Sequence, residues 1–141
     1  MKKTVLMAAA LATMLFGFSV ESRAAGLVAN IDISSQTMTV KYGLSVYRWR
    51  VSTARSGYVT PRGSYRPKSL AAMHYSRKYH DSPMPHSVFF RGGYAVHGTY
   101  SIAELGRPAS HGCIRLAPRN AATLFQLIRS RGAGGARIVV S

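Results

Sequence analysis

Thr37-Met38-Thr39-Val40-Lys41-Tyr42-Gly43-Leu44-Ser45-Val46-Tyr47-Arg48-Trp49-Arg50-Val51-Ser52 is the stretch that decides the fold class. Side chains of an extended strand point alternately to two faces, and here two alternating runs flank one glycine. Thr37–Tyr42 is the first run, and Gly43 breaks it. In Ser45–Ser52, Val46, Arg48 and Arg50 fall on one face, with Tyr47, Trp49 and Val51 on the other. Period two, β-branched and aromatic residues and short turns predict an antiparallel meander. Upstream, Val28, Ile31 and Ile33 lie beside polar residues, and Ser34-Ser35-Gln36 reads as a turn. The meander therefore extends from Leu27 to Ala54.

Further along, Gly57, Pro61, Gly63 and Pro67 make Arg55–Lys68 a loop. Ser69–His86 holds three of the five histidines (His74, His80 and His86) and is expected to be a long irregular excursion, with those histidines solvated or packed in the loop. Ser87–Phe90 and Tyr94–His97 read as two strands joined through Arg91-Gly92-Gly93. Pro118 suits a first helical turn, and Ala121, Leu124, Phe125 and Ile128 form one apolar stripe. Arg129 and Arg131 complement the helix dipole and Gly132 fits the stop, so a helix is predicted over residues 118–131. Arg137–Val140 is a last short strand. The expected fold is mostly β, with one packed α-helix.

Of the 141 residues, the first 24 read as an export leader. Lys2 and Lys3 precede an uncharged apolar run from Thr4 to Val20, and Ser22-Arg23-Ala24 places small residues where a signal peptidase cuts. The run is somewhat short for a membrane span, which needs about 20 residues. A retained anchor is therefore the lesser reading, and the folded domain is expected at residues 25–141. An exported domain of this size permits disulfides, yet the chain has a single cysteine, so packing alone must hold it. Nineteen Lys and Arg against four Asp and Glu give a net charge of +15. Such a surface associates with polyanions. For an exported chain these belong to the anionic envelope (phospholipid, lipopolysaccharide, cell wall), and no nucleic acid partner is expected.

The lone cysteine lies in Ser110-His111-Gly112-Cys113-Ile114-Arg115. Buried structural thiols keep apolar company, whereas His, Gly and Arg surround this one, which points to a nucleophile. A thiol nucleophile needs a base, a group to orient that base, and donors for an oxyanion. His97 ends a predicted strand 16 positions before Cys113 and is the better base candidate. His111 would share the face of Cys113 and could also reach it, although a loop-shaping role suits it better. Gly112 lets a carbonyl approach backbone N–H groups, and Arg115 could hold a substrate carboxylate with two parallel hydrogen bonds. Neither a CxxC nor an HExxH pattern is present, so no metal site is expected.

His97-Gly98-Thr99 followed by Leu105-Gly106-Arg107-Pro108-Ala109-Ser110-His111-Gly112-Cys113-Ile114-Arg115-Leu116 closely resembles the active-site signature of the L,D-transpeptidase family (YkuD domain). Thr60-Pro61-Arg62-Gly63, Met84-Pro85, Phe89-Phe90 with Tyr94-Ala95-Val96, and the hairpin at Gln36–Val40 extend the resemblance over most of residues 25–141. It implies a β-sandwich-like catalytic domain, exported to the periplasm or cell envelope, acting without cofactor on peptidoglycan stem peptides; separately from the resemblance, a monomer is expected. It assigns Cys113 as nucleophile, His97 as proton donor and acceptor, and the Gly98 carbonyl as the group that orients His97. Backbone N–H groups around Gly112 and Cys113, with His111 and Ser110 in support, would hold the oxyanion, and Arg115 would place the stem. An acyl-enzyme forms with loss of D-alanine, and an amine acceptor resolves it: a second stem, a wall lipoprotein lysine, or a D-amino acid. Resolution by water would make the protein a carboxypeptidase or wall-protein-releasing amidase instead. A non-catalytic basic wall-binding module is the alternative outside enzymology.

Overall fold

A computed structural model describes residues 26–131 and 133–141, together with Gly17. The expected leader, its cleavage point and Gly132 lie outside the described residues. No helix among the described residues is long and apolar enough to cross a membrane.

The meander forms as the alternation predicts. β1 (Leu27–Asp32), β2 (Thr37–Tyr42) and β3 (Ser45–Arg50) pair antiparallel in sequence order. Met38 pairs with Trp49 and Val40 with Tyr47, so both rings turn toward the core while Arg48 stays exposed. The last strand, β9 (Ala136–Val140), lies parallel to β1. One short strand was not anticipated. Gly63–Tyr65, within the predicted loop, pairs antiparallel with β9 as β4 and closes a five-stranded sheet of order β3-β2-β1-β9-β4.

The second sheet has the order β5-β6-β7-β8 and corrects the reading of residues 69–86. In place of an irregular excursion, β5 (Ser69–Ser76) and β6 (Ser82–Arg91) form a hairpin that turns through a short 3-10 segment, Arg77–Tyr79. Pro83 and Pro85 hid it, because proline removes a ladder N–H. Both lie where β6 pairs with β5 alone. β7 (Tyr94–Gly98) pairs with β6 only from Val88 onward, so neither proline owes a ladder N–H to β7; Pro83 is exposed and Pro85 is buried. His86 adopts a left-handed φ of 52°, the ladder skips it, and its ring meets Phe125 edge-on at 5.3 Å. β8 (Ile114–Leu116) runs parallel to β7.

The two sheets and α1 (Pro118–Arg131) share one core. Ala29, Ile31, Met38, Val40 and Ile138 come from the first sheet, and Val88, Phe90, Val96, Ile114 and Leu116 from the second. Ala121, Leu124, Phe125 and Ile128 are the buried stripe of α1, the four positions that the period of 3.6 singles out. At the other end of the helix, the Arg131 guanidinium stacks over Tyr42 at 4.2 Å. This is the β-sandwich-like architecture with one packed helix that the sequence leads one to expect.

Candidate active site

Alternation in the second sheet separates the core from a cleft. On β7, Val96 points into the core, which puts Ala95 and His97 on the opposite face. On β8, Ile114 and Leu116 point into the core, and Arg115 takes the opposite side with Cys113 two residues before it. The parallel register pairs His97 with Arg115 and Val96 with Ile114. Extended by one residue it sets Cys113 beside Ala95, whose backbone hydrogen-bonds the thiol. His97, Cys113 and Arg115 thus meet on one face and line an open cleft of about 1190 Å³. His74, on β5, lines the same cleft and packs edge-on against Phe89 at 5.1 Å. His80 and His86 do not reach it.

The His97 ring is only 6% exposed, and its Nδ1 lies 2.7 Å from the Gly98 carbonyl oxygen. With Nδ1–H donating there, Nε2 is left as the basic nitrogen. Burial lowers its pKa from 6.5 to about 4, the Gly98 carbonyl opposes this, and Arg115 and His74 add to it as like charges. Burial pushes the Cys113 thiol above its usual range, with the Ala95 hydrogen bond and Arg115 pulling the other way. Cys113 Sγ lies 3.8 Å from the Gly93 carbonyl.

Gly98 has little room for a side chain. A Cβ there would stand 3.1 Å from Pro85 and 3.2 Å from Pro118, where the hairpin, β7 and α1 converge. Gly112 is as constrained, since its φ is +135° and a Cβ would fall 2.6 Å from the Tyr94 ring and 2.9 Å from the Val59 carbonyl.

Ser110 braces the turn into Cys113. Its Oγ donates to the Cys113 carbonyl at 2.6 Å and accepts the Gly112 N–H at 3.0 Å. The Gly112 amide is therefore engaged within the loop, which leaves an oxyanion to other N–H groups. Thr60 braces the same turn from the opposite side. Its hydroxyl donates to the Gly112 carbonyl and accepts the Ala54 N–H, both at 2.9 Å. Ser52 ties in the approach, donating to the Arg107 carbonyl at 2.8 Å and accepting the Ala109 N–H at 3.1 Å.

His111 lines the cleft as well, and its ring is engaged by two tyrosines. Its ring stacks on Tyr79 at 4.0 Å and meets Tyr58 edge-on at 4.8 Å, joining the β5–β6 hairpin to the loop before Cys113. Arg115 donates through Nη1 to Glu104 at 2.9 Å. Glu104 and the Tyr79–His111–Tyr58 stack were not singled out from the sequence. Glu104 had a signal, as one of four acidic residues in the chain. The tyrosines had none, because 32 positions separate Tyr79 from His111.

The model of the L,D-transpeptidase catalytic domain matches residues 27–140. The chain belongs to that family. Solved L,D-transpeptidases share its fold. The enzyme from Mycobacterium smegmatis is 25% identical with a TM-score of 0.73, over 83% of this chain and 59% of its own. LdtMt1, solved in complex with imipenem, is 26% identical with a TM-score of 0.70, over 83% and 59%. The L,D-transpeptidase from Xylanimonas cellulosilytica is 29% identical with a TM-score of 0.65, over 85% and 62%. The chain thus spans about three-fifths of the length of these L,D-transpeptidases. Among curated proteins nothing matches.

Proposed function

We propose that the protein is an exported peptidoglycan L,D-transpeptidase working in the cell envelope, with Cys113 as its acyl carrier. The observation that carries this reading is the placement of His97 and Cys113 on one face of β7–β8, with Nδ1 of His97 committed to the Gly98 carbonyl. That leaves Nε2 as the base for the thiol. As Cys113 Sγ attacks the carbonyl of the third residue of a tetrapeptide stem, its proton passes to His97. The S–C bond forms, the amide C–N bond breaks, and D-alanine leaves with the proton. An acceptor amine then attacks the thioester, gives its proton to His97, and releases the thiol as the new amide forms. The Cys113 N–H and a neighbouring backbone N–H would hold the oxyanion. Arg115 faces the cleft and supports recognition of a stem carboxylate, and Arg77 and Lys78, at the tip of the β5–β6 hairpin that caps the cleft, bring further positive charge. The mechanism requires no cofactor. The acceptor amines this chemistry admits include a lysine of a wall-anchored lipoprotein, and a single copy of the chain carries all the residues invoked.

Incubation with purified tetrapeptide muropeptides tests the reaction. Dimers or stems with an exchanged terminal residue are the expected products. Tripeptide alone would reassign the protein as a carboxypeptidase. A covalent carbapenem adduct is expected on Cys113 by intact mass and is lost in Cys113→Ser. If Cys113→Ala restored a deletion strain as well as the native gene does, the protein would be a binding module instead.

A further inference from the structure

The outer face of the five-stranded sheet is built differently from the cleft. Val28 pairs with Lys41 on β2 and with Arg137 on β9, and Lys41 pairs with Val46 on β3. Arg137, Val28, Lys41 and Val46 therefore form one cross-strand row. Strands lie about 4.8 Å apart, so the row is about 15 Å long. Arg48 stands two residues along β3 from Val46, on the same face and opposite Thr39. Lys41, Arg48 and Arg137 are exposed, and no described acidic residue pairs with them. Asp32 shares this face, but its carboxylate accepts the Ser34 and Ser35 N–H groups and the Ser34 hydroxyl, so its charge is drawn into its own turn. At the hairpin end of the row Leu44 is fully exposed, and Val46 is 60% exposed.

We infer that this face docks on an anionic phospholipid bilayer. Three uncompensated cations within one row and its neighbour suit an array of phosphates, in a chain of net charge +15. The apolar residues decide which array. A soluble polyelectrolyte offers Leu44 and Val46 nothing, whereas the headgroup boundary of a bilayer takes apolar side chains beside the cations that hold them there. A nucleic acid strand would want exposed rings to stack on, and the aromatic residues of this hairpin, Tyr42, Tyr47 and Trp49, turn toward the core. The chain also enters β1 here, since Leu27 pairs with Ala136 one step from the row. The inference is independent of the chemistry proposed for the cleft.

Sedimentation with vesicles tests it, using the full chain and mixtures of phosphatidylglycerol and phosphatidylcholine. Residues 1–25 are the same in every form compared, so differences belong to the face. Each cation at such a surface is worth about fivefold in partitioning. Lys41→Glu with Arg137→Glu should lower partitioning at least tenfold. Arg107→Glu with Arg119→Glu has the same net charge but alters two exposed arginines outside this sheet, and should change it less than about threefold. Leu44→Ser should weaken binding at unchanged charge and make what is left more sensitive to salt. Equal losses in the two double variants would overturn the inference, because net charge alone would then explain binding. Vesicle binding indifferent to Leu44→Ser and displaced by soluble polyphosphate would also overturn it, in favour of a polyelectrolyte site.

Discussion

Cys113 and His97 are held as a neutral pair, because burial raises one pKa and lowers the other. A thiolate–imidazolium pair would place two charges in a desolvated site, with Arg115 beside them favouring the thiolate and opposing the imidazolium. The proton should leave sulfur only as the substrate is attacked. Alkylation of Cys113 by iodoacetamide is therefore expected to be slow at pH 7 and to rise above pH 9, the ordinary thiol value. Rapid alkylation at pH 6 would contradict the neutral pair. Glu104→Gln unmasks the Arg115 charge and should move the rise to lower pH, and Glu104→Asp should largely restore it. An unchanged profile in Glu104→Gln would show that the ion pair does not govern the thiol. Cys113 was legible in the sequence because a lone thiol among His, Gly and Arg has little structural reason to be there. Glu104 was not, because it meets Arg115 only when the segment after β7 folds back over β8. The engagement of the Gly112 N–H by Ser110 was equally hidden, since Gly and Ser at that spacing suit an oxyanion donor as well as a braced turn.

The helix and the meander were legible as elements because each has one buried face and so carries a clear period. The β5–β6 hairpin carries none. Every residue of Ser69–Ser76 is exposed or half-buried, and prolines interrupt the hairpin's second strand. What holds its tip over the cleft is the Tyr79 ring on His111, supported by Tyr58. Aromatic contacts of this kind are worth about 0.5–1.5 kcal/mol beyond area burial. Tyr79→Ala should therefore loosen the cap and leave the core intact. We expect global stability to fall by about 1 kcal/mol or less, with faster amide exchange confined to residues 73–82. On the proposed reaction, KM for the stem should rise several-fold with a smaller change in kcat. Tyr79→Phe keeps the stacked ring and should behave as wild type. A cap with unchanged exchange in Tyr79→Ala would mean that the β5–β6 ladder alone fixes it.

The two sheets and α1 converge on a single core whose outer boundary, on the cleft side, contains a neutral histidine, so the fold as a whole should answer to acid through that residue. In the unfolded chain His97 takes up a proton near pH 6.5, but in the folded protein only near pH 4. Between those values the unfolded state binds more protons, so stability falls as pH falls. The loss is absent above pH 6.5 and complete just below pH 4, and its size is about 3 kcal/mol. A domain of this kind has a total stability of roughly 5–15 kcal/mol, so the effect is a substantial share. Asp32 does not account for it, because its carboxyl lies below its ordinary 3.8 and titrates under this window. Urea unfolding at pH 7, 5.5 and 4.5 should show the midpoint falling steadily with an unchanged slope. His97→Gln removes the titrating group while keeping a polar side chain of similar length. Whatever its stability at pH 7, its midpoint should fall far less between pH 6.5 and 4. If wild type and His97→Gln lost stability in parallel over that range, some other group would be the acid sensor, and the neutral pair would lose its thermodynamic support.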